Sequence, residues 1–123
     1  LLLAEALRDL PAVRVPLPPE GLTHAWYKFY AFVKPDALAD GWSRDRILSE
    51  IAALGYPALS GSCSEIYLEK CFQDAGLAPA ERLPVARELG DTSLMFLVHP
   101  TITPEQMAGY VEAVRTVVQR ACR

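Results

Sequence analysis

Long apolar runs, blocks of like charge and nucleotide-binding glycine motifs are all missing from this sequence of 123 residues. No run approaches the roughly 20 apolar residues that cross a bilayer, so no membrane span is expected. Lysine and arginine number 12 against 15 acidic residues, without a basic block, which argues against a nucleic-acid surface. Neither GxGxxG nor a Walker-type loop is present, so the chain is not expected to form a nucleotide fold of its own.

Cysteine and histidine are also scarce, with three and two residues respectively. If Cys63 and Cys71 share a helix, they lie about 12 Å apart, which exceeds the roughly 7 Å that a disulfide spans between Cα atoms. We therefore expect reduced thiols, including Cys122, and a cytoplasmic protein. No CxxC or HxxxH spacing occurs, so no metal site is expected.

The residues alone predict no catalytic centre. Cys63 at a helix N-terminus could carry a thiolate, but no sequence feature brings His24 or His99 to it, and a small first-turn residue is the favoured interpretation. His99 is interpreted as ending a strand by bonding a nearby carbonyl. A Schiff-base lysine needs a desolvated pocket. Lys34 and Lys70 are predicted to be solvated, and Lys28 is predicted to extend along the mixed face of its strand with its ammonium in water.

What is present is a regular alternation of strand and helix patterns. Strands are predicted at 12–17, 24–33, 56–59 and 94–98, and helices at 1–10, 44–54, 63–72, 84–89 and 104–121. The last helix has the most complete start signal, with Thr103 as N-cap, Pro104 at the first position and Gln106 at the third. The chain is predicted to form a single α+β domain over residues 1–123. Its sheet is expected to be small and mainly antiparallel, with helices packed on one face.

The segment around residue 62 allows two interpretations. Ser62 and Glu65 have the spacing of a capping box, which predicts that a helix begins at Cys63. Ser60, Gly61 and Ser62 before that helix could also bind an anion through the free N–H groups of its first turn. The spacing alone leaves both interpretations open.

The sequence begins with Leu1 rather than methionine, and Leu3, Leu7 and Leu10 follow helical spacing from the start. The first ten residues therefore look like a helix already under way. We predict that the chain is a piece of a longer polypeptide.

Five sequence blocks, in this order and spacing, resemble one protein family. They are LRDLPAVRVP (7–16), HAWYKFYAFV (24–33), SRDRILSEIAALGYPA (43–58), LPVARELGDTSLMFLVHPTIT (83–103) and PEQMAGYVEAVRTVV (104–118). Together they are similar to the C-terminal small domain of the DegT/DnrJ/StrS family of pyridoxal-phosphate-dependent sugar aminotransferases, over nearly the whole chain. The sequence departs from the commoner family pattern at 95–97 and at 60–72.

The resemblance implies a fold type I enzyme whose large domain lies upstream and carries the cofactor lysine. Residues 1–10 would then be the tail of the inter-domain helix, and the small domain would cover the active site as a lid. The resemblance implies pyridoxal phosphate in the full-length enzyme, with none bound to this segment alone and no catalytic or cofactor-binding residue in it. A keto-sugar nucleotide, an amino-acid donor and a homodimer partner are implied as well.

On the substrate side, the resemblance points to one segment. Its predicted substrate-binding residues are Ser62, Cys63, Glu65 and Tyr67. The isolated chain is expected to be inactive. Without the large domain it would expose apolar surface at helix 1–10 and on the face formed by Trp26, Tyr30 and Phe32. The alternative interpretation is an independent α+β module that binds a ligand or forms a dimer.

Overall fold

Four antiparallel strands and five α-helices make up the structure, a computed structural model that describes residues 2–123. The strands are β1 (Val13–Arg14), β2 (Lys28–Val33), β3 (Ala58–Leu59) and β4 (Ser93–Leu97). The helices are α1 (Leu2–Leu7), α2 (Arg44–Ala53), α3 (Lys70–Asp74), α4 (Pro84–Thr92) and α5 (Pro104–Ala121), with 3₁₀ turns at Pro35–Ala37 and Ile66–Leu68. Within the described residues, no helix has both the length and the apolar character needed to cross a membrane.

The sheet has the order β1-β2-β4-β3, and every neighbouring pair is antiparallel. The central pair places Phe29 of β2 opposite Phe96 of β4, and Ala31 opposite Leu94. These four side chains are buried and belong to one core with residues of α1, α2 and α5. The predicted α+β class, with a mainly antiparallel sheet and helices packed on one face, is confirmed.

Helices α2 and α5 begin where the sequence predicts. The Ser43 hydroxyl accepts the N–H of Arg46 at 3.1 Å. Thr103 and Gln106 make both hydrogen bonds of a capping box, at 2.9 and 3.2 Å. Because the first N–H groups of a helix have no partner within it, these local bonds determine where each helix begins.

Strand β2 begins at Lys28, four residues later than the strand predicted at 24–33. Trp26 has a φ of 52°, a left-handed conformation that interrupts the extended backbone before the strand. From 29 to 33 the burial alternates, as expected for a strand with one face on the core. Tyr27, which the same alternation would place on the buried face, is instead 81% exposed.

The helix predicted at 63–72 does not form. The structure instead has the 3₁₀ turn Ile66–Leu68 followed by the short α3. Glu65 has φ −119° and ψ 57°, outside the helical region, and its carboxylate accepts hydrogen bonds from Arg82. The capping-box interpretation of Ser62 and Glu65 is therefore wrong, because a distant arginine takes the carboxylate that the cap would need.

Two further helix boundaries differ from the prediction. Helix α1 ends at Leu7 rather than at residue 10, and Leu1 lies outside the described residues. Helix α4 continues to Thr92, beyond the end that the sequence predicts at residue 89. A Cβ at Gly90 would lie 2.1 Å from the Ser64 hydroxyl oxygen. The missing side chain thus allows the segment before α3 to approach α4.

Candidate functional site

The 60–68 segment contacts Tyr30, whose side chain lies on the opposite face of β2 from the buried Phe29. The segment therefore lies against the face of the sheet opposite the core. The N–H of Ser62 donates to the Tyr30 hydroxyl at 3.3 Å. Gly61 has a φ of +97°, and a Cβ there would lie 2.6 Å from Cε1 of Tyr30. The backbone conformation and the close ring both require glycine at position 61.

Hydrogen bonds from side chains of β4 and α2 join the start of this segment to the neighbouring elements. The hydroxyl of Ser93, the first residue of β4, donates to the carbonyl of Ser60. The Arg44 guanidinium of α2 donates to the carbonyls of Gly90 and Ser93, at 3.1 and 3.3 Å. The segment, the end of α4 and the start of β4 are therefore joined by bonds between residues far apart in sequence.

Glu65 is the centre of a polar cluster at the other end of the segment. Its Oε1 accepts hydrogen bonds from the Tyr67 hydroxyl at 2.6 Å and from Arg82 Nε at 2.9 Å. Its Oε2 accepts a second bond from the Arg82 guanidinium. The Tyr67 oxygen in turn accepts the N–H of Leu83 at 2.9 Å. We call Glu65, Tyr67 and Arg82 the Glu65 cluster.

The cluster changes the acidity of its members. The hydrogen bonds from Arg82 and then from Tyr67 lower the pKa of Glu65 from 4.5 to about 2. Burial and the hydrogen bond to Glu65 raise the pKa of Tyr67 above its usual value. At neutral pH, Glu65 is therefore a carboxylate and Tyr67 a neutral donor, as the observed hydrogen bonds require.

The structure separates the four predicted substrate-binding residues into two pairs. Ser62 and Cys63 are exposed, whereas Glu65 and Tyr67 bond to each other and to Arg82. No helix begins at Cys63, so the structure lacks the helix N-terminus on which the alternative anion-binding interpretation depends. The sequence prediction missed Arg82 because its partner lies 17 residues away and no periodic pattern relates the two.

A second feature is an open groove of about 840 Å³ at one end of the sheet, which we call the aromatic groove. It lies where the residues before β2, the end of β4 and the first turns of α5 meet. Its apolar lining includes Trp26, Tyr27, Tyr56, Leu97, Val98 and Tyr110.

Tyr56 and Tyr110 form a rigid pair within the groove. Their rings are stacked, with centroids 5.5 Å apart and planes 8° from parallel. The Tyr110 hydroxyl donates to the carbonyl of Pro57 and accepts the N–H of Leu97 at 3.4 Å. Burial raises the pKa of Tyr110 to about 12, so the hydroxyl stays neutral and can make both bonds.

Trp26 is held in a strained conformation at the edge of the groove. A left-handed φ costs a non-glycine residue about 1–3 kcal/mol. The N–H of Trp26 donates to Nδ1 of His24 at 2.8 Å, and the two rings lie 4.6 Å apart. The Trp26 ring also contacts Phe29, with centroids 5.5 Å apart. These contacts offset the strain and fix the indole at the groove.

The structure does not pair a cysteine with a histidine. Cys63 Sγ donates to Glu69 at 3.7 Å, and His24 bonds to Trp26. Nδ1 of His99 lies 2.8 Å from the Thr101 hydroxyl oxygen, so His99 bonds a hydroxyl rather than the predicted carbonyl. None of the three cysteines forms a disulfide within the described residues.

The described residues fit neither the lysine linkage of pyridoxal phosphate nor a metal ion. Lys28 lies over the Tyr27 ring at 5.3 Å, Lys70 pairs with Asp74 at 2.6 Å, and Lys34 is exposed, so no lysine occupies the desolvated pocket that a pyridoxal phosphate linkage needs. Among residues 2–123, no group of three histidine, cysteine or acidic side chains is placed to hold a metal.

Comparison with solved structures relates this fold to aminotransferases. Over 94% of the chain, the aminotransferase from Psychrobacter cryohalolentis is 48% identical and superposes with a TM-score of 0.85. A DegT DnrJ EryC1 StrS aminotransferase from Brucella abortus shares the fold over 93% of the chain, with 24% identity and a TM-score of 0.72. The chain matches a C-terminal fragment of DegT/DnrJ/EryC1/StrS aminotransferases. This confirms the family resemblance found in the sequence.

The chain spans about 30% of the length of the aminotransferases it matches. DesV from S. venezuelae, solved in complex with a ketimine intermediate, shares the fold over 97% of the chain, with a TM-score of 0.78 and 23% identity. No protein-family model matches the chain, and no curated protein sequence matches it significantly.

Proposed function

We propose that the chain is the C-terminal small domain of a pyridoxal-phosphate-dependent aminotransferase that aminates a keto-sugar nucleotide. The observation that carries the proposal is the 48% identity to an aminotransferase over 94% of the chain, at a TM-score of 0.85. It favours an enzyme over an independent ligand-binding or dimerisation module. In this proposal, residues 1–123 form one domain, helix α1 is the end of the inter-domain helix, and the enzyme is a cytoplasmic homodimer.

The cofactor chemistry is assigned to the rest of the longer protein, because the residues described here do not fit the lysine linkage of the cofactor. When bound there, pyridoxal phosphate supplies the electron sink for amino transfer. We infer that this domain acts as a lid that excludes water and orients the sugar. No catalytic step is assigned to its residues.

Within this domain, the 60–68 segment is suited to contact the sugar. Its backbone is fixed by Tyr30, Ser93 and the Glu65 cluster, so its exposed tip needs little further ordering when a ligand binds. Ser62 and Cys63 at the tip offer a hydroxyl and a thiol. In this proposal, Glu65 and Tyr67 contribute to substrate binding indirectly, because they hold the segment in position.

The full-length protein tests the assignment to this enzyme class. Purified with pyridoxal phosphate, it is expected to show the visible absorption of the bound cofactor. It is also expected to convert a keto-sugar nucleotide and an amino acid into an amino sugar detectable by mass spectrometry. Residues 1–123 alone should show neither property. A full-length protein without cofactor absorption and without amino transfer would reject the proposal.

Single substitutions in the full-length protein test the role of the segment. Ser62→Ala and Cys63→Ala should each raise the KM for the sugar nucleotide up to roughly tenfold, the cost of about one hydrogen bond. The KM for the amino donor should not change. Thr116→Ala, on the outer side of α5, is the matched control. If both variants left the KM values of both substrates unchanged, Ser62 and Cys63 would not belong to the substrate site.

A further inference from the structure

We propose that the hydrogen bond between His24 and Trp26 is a pH-sensitive switch. While it is made, it holds Trp26 in its left-handed conformation at the edge of the aromatic groove, and protonation of His24 releases the residue. The bond runs from the N–H of Trp26 to Nδ1 of His24, over 2.8 Å. The inference goes beyond the proposed function and does not depend on it.

The bond can exist only while His24 is neutral. A ring nitrogen that accepts an N–H carries no proton, and in the imidazolium form both ring nitrogens are donors. Nδ1 is the acceptor here, so the proton of the neutral ring lies on Nε2. Histidine is the side chain whose charge ordinarily changes between about pH 5 and 8. Mild acid therefore removes the acceptor.

The backbone at Trp26 has a second conformation available to it. Its φ of 52° lies in the left-handed region, which is unfavourable for a residue with a large side chain. The alternating pattern of residues 24–33 favours extended backbone through this position, and β2 begins two residues later at Lys28. Loss of the bond removes one of the contacts that offset the strain. Residue 26 should then move towards the extended conformation.

The surroundings of His24 favour a response that comes from this residue. Its exposed ring lines a cavity of about 250 Å³ together with residues 16–18 and two side chains of β2. Those two, Lys28 and Tyr30, are the other titratable groups of the cavity, and residues 16–18 carry none. Lysine and tyrosine do not ordinarily change charge between about pH 5 and 8. Among the described residues that line the cavity, none is acidic, so no carboxylate there binds the imidazolium.

The position of Trp26 connects the switch to the aromatic groove. The indole lines the groove and also an adjoining cavity of about 310 Å³. It contacts Phe29, with ring centroids 5.5 Å apart, and the next residue, Tyr27, is exposed. A change of φ at residue 26 would move both the indole and Tyr27. The shape of this end of the groove should therefore depend on the charge of His24.

His99 is the other histidine of the chain, and it also lines the groove. Its Nδ1 accepts the N–H of Thr101 at 3.3 Å and lies 2.8 Å from the hydroxyl oxygen of the same residue. After protonation, Nδ1 can donate to that oxygen, so His99 keeps a bond to Thr101. Within the part of the chain that the structure describes, Nδ1 of His24 has no hydroxyl partner. Protonation therefore breaks the contact of His24 but not that of His99.

Carbon chemical shifts of Trp26 in the full-length protein test the inference. Tryptophan labelled with ¹³C at Cα and Cβ is incorporated, and the Trp26 signals are identified by their loss in Trp26→Phe. Left-handed and extended backbones move these two shifts in opposite directions, so the shifts report the conformation and not only the charge of the nearby ring. In the wild type, we expect left-handed values at about pH 8 and a shift towards extended values by about pH 5, along one titration curve.

Two substitutions of the exposed His24 separate the hydrogen bond from the charge. His24→Ala has no acceptor and should show extended values at every pH. His24→Asn has a side-chain oxygen that can accept the N–H two residues later, and it does not titrate in this range. It should therefore show left-handed values at every pH. His99→Asn is the matched control and should titrate like the wild type.

Three results would overturn the inference. Left-handed values in His24→Ala at pH 8 would show that other contacts hold Trp26. Wild-type values that stay left-handed down to pH 5 would show that protonation does not release the residue. A titration that persists in His24→Asn would assign the response to another group. Because none of these measurements uses cofactor absorption or amino transfer, their outcome is independent of whether the proposed function is correct.

Discussion

The Arg82 guanidinium bonds to both carboxylate oxygens of Glu65, which lies 17 residues earlier in the chain. The same carboxylate accepts the Tyr67 hydroxyl, which links to the backbone of Leu83 immediately before α4. This bidentate pair therefore connects the 60–68 segment to the start of a helix. The pair thereby restrains the backbone of the segment that carries Ser62 and Cys63.

Removal of the Arg82 side chain should loosen the segment without unfolding the domain. We expect Arg82→Gln to increase the hydrogen-exchange rates of the backbone amides of 62–68 severalfold, while α5 stays protected. Arg82→Lys should restore the charge but not the bidentate geometry, and should give intermediate rates. Exchange measured by mass spectrometry checks this.

Arg87→Gln is the matched control for Arg82, because Arg87 is exposed and pairs loosely with Asp91 at 3.7 Å. This variant should leave the exchange of 62–68 unchanged. If Arg82→Gln and Arg87→Gln gave the same exchange pattern, the Glu65 cluster would not be the feature that orders the segment.

The lowered pKa of Glu65 predicts a defined pH dependence. A carboxyl whose pKa is 4.5 when unfolded and about 2 when folded stabilises the fold above about pH 4.5. That stability is lost as the pH falls through the folded pKa. The free energy of unfolding of the wild type, relative to Glu65→Gln, should therefore decrease between about pH 5 and 2. Urea unfolding at a series of pH values measures this difference.

Glu112→Gln, on the exposed side of α5, is the control for the pH experiment, because its carboxylate makes one exposed contact with Thr116. The wild type and this variant should change in parallel across the same pH range. A constant difference between the wild type and Glu65→Gln would contradict the assignment of the acid-labile stability to this carboxylate.

The sequence predicts an element well where short-range contacts determine it. Ser43 caps α2 through a residue three positions away, and the capping box of α5 spans Thr103 to Gln106. The 60–68 segment could not be predicted in this way. Its partners Tyr30, Ser93 and Arg82 are distant in the chain, and they override a spacing that otherwise matches a helix start.

The limits of the strand prediction have a similar cause. The alternation of buried residues from 29 to 33 follows from side chains that pack on one core. The same pattern continues back to residue 24 in the sequence, but the left-handed Trp26 ends the strand. A left-handed tryptophan has no sequence signal, because it depends on contacts with His24 and Phe29 that exist only in the folded chain.

Gly61→Ala should destabilise the domain more than an ordinary glycine substitution does. The positive φ alone costs about 1–2 kcal/mol, and the added Cβ would lie 2.6 Å from the Tyr30 ring. We expect a total loss of about 2 kcal/mol or more in the free energy of unfolding. Chemical denaturation followed by far-UV circular dichroism measures it.

Gly55→Ala separates the two contributions, since Gly55 has a φ of +86° and no atom within 4 Å of a built Cβ. This variant should lose only the backbone contribution of about 1 kcal/mol. Equal losses in the two variants would indicate that Tyr30 moves aside at no cost.

Thr103→Ala tests the N-cap of α5. The substitution removes the hydroxyl that accepts the N–H of Gln106 at 3.2 Å, and loss of such a cap costs about 1 kcal/mol. Thr116→Ala, an exposed interior position of the same helix, should change stability by less than about 0.5 kcal/mol. Thermal unfolding of both variants makes the comparison, and a cap variant as stable as the interior one would refute the role of Thr103.

The three thiols differ in their access to solvent, and this difference allows one site in the domain to be labelled selectively. Cys122 is half-buried and donates to the Val118 carbonyl at 3.3 Å, whereas Cys63 and Cys71 are exposed. Replacing Cys71 with serine leaves Cys63 as the single exposed thiol among the three. A fluorescent maleimide would then label the tip of the 60–68 segment faster than the half-buried Cys122, so its emission would report when that tip becomes covered.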